Sequence, residues 1–180
     1  MTKFGFKEIT PANLLERDPV LDGFVKLSPN GQSMTLTQDD YLRYIFTPCL
    51  LEVVPDDVQA LFEVARGAMA YGYFFYPLFT LAMEQLFRVA EAAVAYKCLD
   101  MGIPKSKSRF KEKIVWLIDK GIIPKTDRGS WDSIRELRNM TSHPERQMIL
   151  PPAMPIELLE RTALLINSLF NSKRARSDRE

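Results

Sequence analysis

Apolar residues recur at three- and four-residue spacing through most of the chain that follows Pro55, a period typical of helices that bury one side. Prolines and glycines divide this pattern into separate runs, because proline cannot continue a helix and glycine commonly ends one. The dividing residues are Pro77, Gly102 with Pro104, Gly121, Pro144, and the group Pro151, Pro152 and Pro155, which we expect to form a stiff connector. The pattern predicts an all-α fold, a bundle of about five helices with short connections.

Two of the predicted helices are informative, one for its charged residues and one for where it begins and ends. The long run from Phe79 to Leu99 has Glu84, Arg88 and Glu91 at three- and four-residue spacing on its polar side, which favours a solvated row of ion pairs. The run that carries Ile134 and Leu137 should begin after a cap at Ser130. It should end near Ser142, because Pro144 disfavours helix at the preceding residue.

The first fifty residues follow a different pattern. A Ser28–Gly31 turn containing Pro29 and Asn30 separates two short runs rich in β-forming residues, and this arrangement predicts a β-hairpin. Thr37 to Asp40 resembles a capping box at the start of a short helix that Pro48 ends. We therefore divide the chain into an N-terminal arm (residues 1–50), a helical domain (51–172) and a disordered charged tail (173–180). Whether the arm packs on the domain or serves as a contact surface stays open.

The composition is that of an ordinary globular protein, with 46% hydrophobic and 26% charged residues, and it excludes collagens, disulfide scaffolds and disordered chains. The net charge of +1 conceals an asymmetry. Residues 1–102 contain 8 basic and 13 acidic side chains, whereas residues 103–146 contain 11 basic and 6 acidic ones. This basic block could meet phosphate, or it could attract the acidic half of the same fold.

Location can be predicted from the cysteines and from the apolar segments. Cys49 and Cys98 lie far apart without metal-like spacing, which favours a reducing cytoplasm, and the first nine residues are too polar for a signal peptide. The 17 residues from Gly67 to Met83 carry no charge. They are fewer than the roughly 20 that a membrane-spanning helix needs, so we expect a buried helix and no membrane partner.

His143 is the only histidine of the chain, and histidine is the side chain best suited to move protons near neutral pH. Arg138 and Asn139 precede it closely, and an arginine can bind phosphate. A helix-end histidine that contacts the last carbonyls is the structural alternative. A single histidine with no matching aspartate pair predicts no metal site, and the absence of a phosphate-binding glycine loop predicts no cofactor.

A longer stretch of sequence supports a resemblance. Phe110-x-x-Lys113-Ile114, Gly121-x-Ile123 and then Leu137-Arg138-Asn139-x-x-x-His143 resemble the C-terminal half of a HEPN domain. This superfamily consists of small all-helical bundles whose motif is an arginine, usually a polar residue, and a histidine. The resemblance covers roughly residues 58–170 and leaves the arm outside it.

The resemblance implies a specific chemistry. Many HEPN domains are metal-independent endoribonucleases that act as toxins, antiphage-defence effectors or RNA-processing enzymes, while others are inactive and only bind RNA or partners. In active members the 2′-hydroxyl of RNA attacks the neighbouring phosphate and leaves a 2′,3′-cyclic phosphate end. By this resemblance His143 would move protons, Arg138 would hold the phosphate, and Asn139 would orient one of them.

Helix geometry adds the prediction of a homodimer. On an ideal helix Arg138 and His143 point about 140° apart, whereas Asn139 and His143 lie within about 40°. One chain does not easily focus both groups on one phosphate, and attack by a hydroxyl requires an acid as well as a base. Two copies of the motif across a shared groove would meet both needs, and HEPN domains commonly dimerise in this way.

Two further groups of residues could contact RNA. Alternating cations precede and begin one predicted helix, and they could follow a phosphate backbone or form a solvated loop. These cations are Lys105, Lys107, Arg109, Lys111 and Lys113. The aromatic group Tyr71, Tyr73, Phe74, Phe75 and Tyr76 favours core or dimer packing over base stacking.

The sequence leaves two other functions open. The chain could be an inactive HEPN-like module that binds RNA or protein, with an antitoxin or effector partner held by the N-terminal arm. It could also be a small-molecule or nucleotide sensor with a pocket near Arg138 and His143.

Overall fold

The computed structural model of the chain describes residues 6–141 and 153–171. This part of the chain confirms the predicted all-α bundle with a small hairpin in the arm. Its helices are α1 (Gln38–Phe46), α2 (Asp56–Tyr71), α3 (Leu78–Asp100), α4 (Phe110–Asp119), α5 (Arg128–Thr141) and α6 (Ala153–Phe170). Its strands are β1 (Val25–Leu27) and β2 (Ser33–Thr35), and short 3-10 helices cover Pro19–Gly23 and Lys125–Asp127.

Helix α3 is the centre of the bundle, since it contacts α2, α4, α5 and α6. Its buried residues are Phe79, Ala82, Met83, Leu86, Phe87, Val89, Ala90, Ala93, Val94 and Cys98. A helix surrounded by four others buries more than one stripe. The buried surface of α3 is therefore wide, and a charged side chain on its margin can contact a neighbouring helix.

The ends of the helices follow from local chemistry. Pro77 stands at the N-cap of α3, and Gly102 and Gly121 follow α3 and α4 with φ of 70° and 71°, the left-handed conformation that ends helices. The predicted capping box of α1 is present. Thr37 accepts a hydrogen bond from the Asp40 backbone, and the Asp40 side chain accepts one from the Thr37 backbone.

Two predicted boundaries were wrong. Helix α5 begins at Arg128 and not after Ser130, because the 3-10 helix Lys125–Asp127 continues directly into it. Pro155 lies in the first turn of α6 and not in a connector, since proline is tolerated where its missing N–H would have no helical partner. Pro144, Pro151, Pro152 and the tail 173–180 lie outside the described residues.

The described part of the arm packs on the helical domain. Leu21, Tyr41 and Ile45 are buried in the same core cluster as the large helices. The buried Asp18 carboxylate accepts hydrogen bonds from the backbone N–H groups of Tyr76 at 2.7 Å and Val20 at 3.0 Å. Residues 18–45 therefore include side chains that share a core with the bundle, and whether the exposed part of the arm also serves as a contact surface stays open.

The charge-free segment from Gly67 to Met83 forms the end of α2, a turn and the start of α3. Gly72 lies where a Cβ atom would come within 2.9 Å of the Met69 carbonyl oxygen, so this close turn requires glycine. Across residues 6–141 and 153–171, each helix lacks the combination of length and apolar character that crossing a bilayer requires.

Candidate functional site

Arg138 lies in the last turn of α5, on the side of the helix that faces the core. It follows the buried Trp131 and Ile134 by seven and four residues, and residues at these spacings share one side of a helix. Leu137, the preceding residue, is half-buried against the core. The sequence therefore directs Arg138 toward α3 at the edge of the core.

Glu91 on α3 forms an ion pair with Arg138. The Nη2 atom of Arg138 lies 3.0 Å from the Oε2 atom of Glu91, and the side chains are 42% and 37% exposed. Glu91 lies between the buried Phe87 and Val94, at four and three residues along the helix, so it too stands at the edge of the core. The ion pair thus joins α5 to α3 at the surface of their contact.

This pairing corrects the prediction of a solvated row on α3. Glu84 and Arg88 are exposed as expected, but Glu91 contacts another helix and not its own neighbours. The prediction placed the polar side of α3 in solvent, whereas α5 covers part of that side. Glu91 is therefore a site residue that sequence reasoning missed.

The other predicted motif residues are placed differently. Asn139 is exposed in the same turn as Arg138. His143 lies outside the described residues, so the geometry between the histidine and the arginine stays a prediction. The described part of the motif consists of a half-exposed guanidinium, its carboxylate partner and an exposed amide.

The remaining charges of α5 form a ladder of ion pairs. Asp132 lies 3.5 Å from Arg128 and 3.6 Å from Arg135, and Arg135 lies 3.0 Å from Glu136. Carboxylates on the same helix therefore offset the charges of Arg128 and Arg135, and neither arginine adds a strong positive field to the end of α5.

The five predicted RNA-binding cations surround the start of α4. Lys105, Lys107 and Arg109 lie in the connection from α3, and Lys111 and Lys113 lie in α4 itself. The exposed members are Lys105, Arg109 and Lys111, while Lys107 and Lys113 are half-exposed. Within residues 6–141 and 153–171 none of these side chains forms an ion pair with an acid, so their charges face solvent without a carboxylate partner.

The basic start of α4 and the end of α5 lie along one side of α3. The Sγ atom of Cys98 lies 4.0 Å from the Lys113 carbonyl oxygen, and Cys98 follows Glu91 by two helical turns. On an ideal helix these positions are about 20° apart in direction and about 10 Å apart along the axis. Helices α4 and α5 therefore pack against the same side of α3.

Cys98 itself is not a nucleophile in this arrangement. Burial raises the pKa of its thiol to about 11, so the neutral thiol predominates at neutral pH. Since the thiolate is the reactive form, Cys98 contributes packing between α3 and α4.

A groove of about 450 Å³ lies beside Leu137. Its wall is apolar, with Met83 from α3 and Met154, Leu158 and Leu164 from α6, and its other lining residues are Glu157, Glu160 and Arg161. This volume is within the range of small-molecule pockets. The groove is the feature on which the sensor hypothesis depends.

The aromatic group serves mainly in packing. Tyr76 is buried, and the rings of Tyr41 and Tyr73 lie 5.3 Å apart. Tyr71, at the end of α2, remains 63% exposed. In the described part of the chain, no group of three histidine, cysteine, aspartate or glutamate side chains is placed to hold a metal ion.

Comparisons with protein-family models, with curated proteins and with solved structures found no match to this chain.

Proposed function

We propose that the chain is a metal-independent endoribonuclease of the HEPN type, of the kind that serve as toxins or antiphage-defence effectors. The observation that carries the proposal is a half-exposed arginine at the end of α5. This helix packs on the same side of α3 as α4, whose start carries cations with no ion-pair partner among the described residues. A guanidinium that meets a phosphate beside such a surface fits a nucleic-acid substrate.

The proposed reaction is a transesterification within RNA. The 2′-oxygen loses its proton and attacks the adjacent phosphorus, the bond from phosphorus to the 5′-oxygen breaks, and that oxygen takes up a proton. Arg138 would bind the phosphate and offset its growing negative charge. By the resemblance to HEPN domains, His143 would transfer protons and Asn139 would orient the reacting groups.

The proposal includes a homodimer with a composite site. The helical spacing of Arg138 and His143 separates them in direction, and a second copy would supply the complementary group. The exposed Met140, beside the motif in α5, and Leu164, in α6, offer apolar area on this part of the surface, and apolar burial is a main driving force for association.

The cations around the start of α4 would guide the RNA backbone toward Arg138. Helix α4 contacts α3 at Cys98, about 10 Å along the axis from Glu91, which pairs with Arg138. A strand bound at the start of α4 would therefore lie on a helix that neighbours the site.

The alternative is a catalytically inactive interaction module, and the arm favours it. Leu14, Leu15, Val25 and Leu27 are 53%, 73%, 56% and 73% exposed. Val25 and Leu27 share one face of β1, while Lys26 on the opposite face pairs with Asp40 of α1 at 2.5 Å. Exposed apolar side chains that adjoin one another, as Val25 and Leu27 do on β1, favour a protein contact site, and an antitoxin or effector partner would fit it.

The test uses the full-length protein with a mixed-sequence RNA in buffer that contains a chelator. The proposal expects cleavage by the wild type and its loss in Arg138→Ala and His143→Ala, with all proteins folded by circular dichroism. Cleavage that requires added metal, or that survives Arg138→Ala, would contradict it. A wild type that cuts nothing while the variants still capture the same partner through the arm would establish the interaction module.

A further inference from the structure

We infer that Glu91 is a positioning residue for Arg138, an inference that rests on the proposed function and adds a role to the same site. The observation is the ion pair of 3.0 Å between helices α3 and α5. It joins two residues 47 positions apart in the chain, and both stand at the edge of the packed core.

The two residues of this ion pair differ in how firmly their backbones are held. Glu91 lies on the central helix between Phe87 and Val94, which are 2% and 0% exposed, so its backbone is held by packing on several sides. Arg138 stands in the last turn of α5, where the helix is close to its end. A carboxylate on the rigid helix can therefore fix the direction of a long side chain on the less constrained one.

Such a contact matters for phosphate binding because arginine recognises oxyanions through the orientation of its planar guanidinium. Charge-assisted hydrogen bonds from a guanidinium are strongly directional. A partner that holds the group in place reduces the ordering that must accompany substrate binding, as outer-shell carboxylates do for histidines at metal sites. Glu91 would act in this way, through Arg138 and without contact with RNA.

The negative charge of Glu91 makes the expected kinetic signature specific. A carboxylate near the site repels a phosphate, so its removal does not weaken RNA attraction through charge. Loss of Glu91 should therefore lower kcat, because Arg138 is less well oriented in the transition state, while KM for RNA stays the same or falls. A residue that only stabilised the fold would not produce this separation.

The chain supplies a matched control at Glu84. Glu84 precedes Glu91 by two turns on the same helix and is exposed; in the described part of the chain it has no ion-pair partner. Glu84→Ala removes the same charge from nearly the same side of α3. Its effect on RNA through long-range charge should match that of Glu91→Ala, and its effect on Arg138 should be absent.

The experiment measures kcat and KM for RNA cleavage by the wild type, Glu91→Ala, Glu91→Gln and Glu84→Ala. We expect kcat to fall about 10- to 100-fold in Glu91→Ala, the range seen for outer-shell positioning residues. Glu91→Gln keeps an oxygen acceptor and should lie between Glu91→Ala and the wild type, while Glu84→Ala should keep the wild-type kcat.

A wild-type kcat in Glu91→Ala would overturn the inference. If the wild-type protein cleaves no RNA, the proposed function is wrong. The positioning role of Glu91 is then tested separately by the chemical shift and line width of the Arg138 Nε–Hε NMR resonance. The inference expects this resonance to shift or broaden in Glu91→Ala and to stay unchanged in Glu84→Ala. An unchanged resonance in both variants would refute it.

Discussion

The carboxylate of Asp18 accepts a hydrogen bond of 2.7 Å from the backbone N–H of Tyr76, and this contact joins the N-terminal arm to the connection between α2 and α3. The backbone of the arm contacts the same connection, where the N–H of Asp18 donates a hydrogen bond to the carbonyl oxygen of Tyr73 at 2.9 Å. Lys7 donates to the Phe74 carbonyl at 3.1 Å. Three arm-to-connection hydrogen bonds thus hold a turn that precedes the central helix.

Asp18→Ala should destabilise the whole protein. The substitution leaves buried backbone N–H groups without their acceptor, and hydrogen bonds to charged groups contribute about 1.5–3 kcal/mol each, so we expect a loss of about 3 kcal/mol in the free energy of unfolding. Urea denaturation measures it. Asp22→Ala is the control, since that side chain is 71% exposed and should change stability by less than about 0.5 kcal/mol. Equal effects of the two substitutions would contradict the role of Asp18.

The contact of the hairpin with α1 should weaken in acid. Hydrogen bonds from Lys26 and then from Thr37 lower the pKa of Asp40 from 3.8 to about 2. Because the folded pKa is below the unfolded one, the contribution of Asp40 to stability is present above pH 3.8 and is lost as the pH falls to about 2.

Thermal unfolding of the wild type and Asp40→Asn at several pH values tests this dependence. The difference in Tm between the two proteins should shrink as the pH falls through that range. The exposed Asp39 provides Asp39→Asn as the control, for which we expect no comparable change. A difference between wild type and Asp40→Asn that is independent of pH would refute the assignment.

The cations around the start of α4 should account for part of the salt dependence of RNA binding. The triple variant Lys105→Gln, Lys107→Gln, Lys111→Gln should bind single-stranded RNA more weakly. The slope of log Kd against log salt should fall by about 2, because each phosphate contact on a single strand contributes about 0.7.

The control for this variant comes from cations at the far end of α4 and beyond it. Lys120 and Lys125 are exposed and lie away from the connection between α3 and α4. The double variant Lys120→Gln, Lys125→Gln should keep the wild-type slope. The proposed RNA path would be contradicted if the two variants lowered the slope of log Kd against log salt by the same amount for each charge removed.

Mixed dimers test the composite site. When Arg138→Ala and His143→Ala chains are co-expressed with different tags, the purified mixed dimer carries one complete pair of groups drawn from both subunits. It keeps one arginine and one histidine in the shared groove, so it should cleave RNA more slowly than the wild type, whose two histidines supply both base and acid. Each variant alone should be inactive, and the mixed dimer should be measurably faster than either. A mixed dimer as inactive as the two variants would contradict a site that draws its groups from both subunits.

The local features of the fold could be predicted because they depend on neighbouring residues. The capping box of Thr37 and Asp40, the turn at Gly31 and the stops at Gly102 and Gly121 each follow from a few adjacent residues. The start of α5 was predicted too late, because a capping interpretation at Ser130 overlooked the 3-10 helix that leads into it.

The interhelical contacts could not be predicted in the same way. Glu91 and Arg138 are 47 residues apart, and Asp18 and Tyr76 are 58 residues apart, so neither pair leaves a local pattern. One indication was present in α5, where Arg138 continues the spacing of the buried Trp131 and Ile134. A charge at a core-facing position requires a partner, and α3 offered Glu91.

The central claim is that RNA is cleaved by attack of its own 2′-hydroxyl at a site that contains Arg138. Mass spectrometry of the fragments from a defined oligoribonucleotide, incubated with the wild-type protein in chelator, tests this claim most directly. We predict fragments that end in 2′,3′-cyclic phosphate and begin with a 5′-hydroxyl, with none from Arg138→Ala. Fragments that carry a 5′-phosphate, or an oligonucleotide that stays intact with folded wild-type protein, would contradict the account.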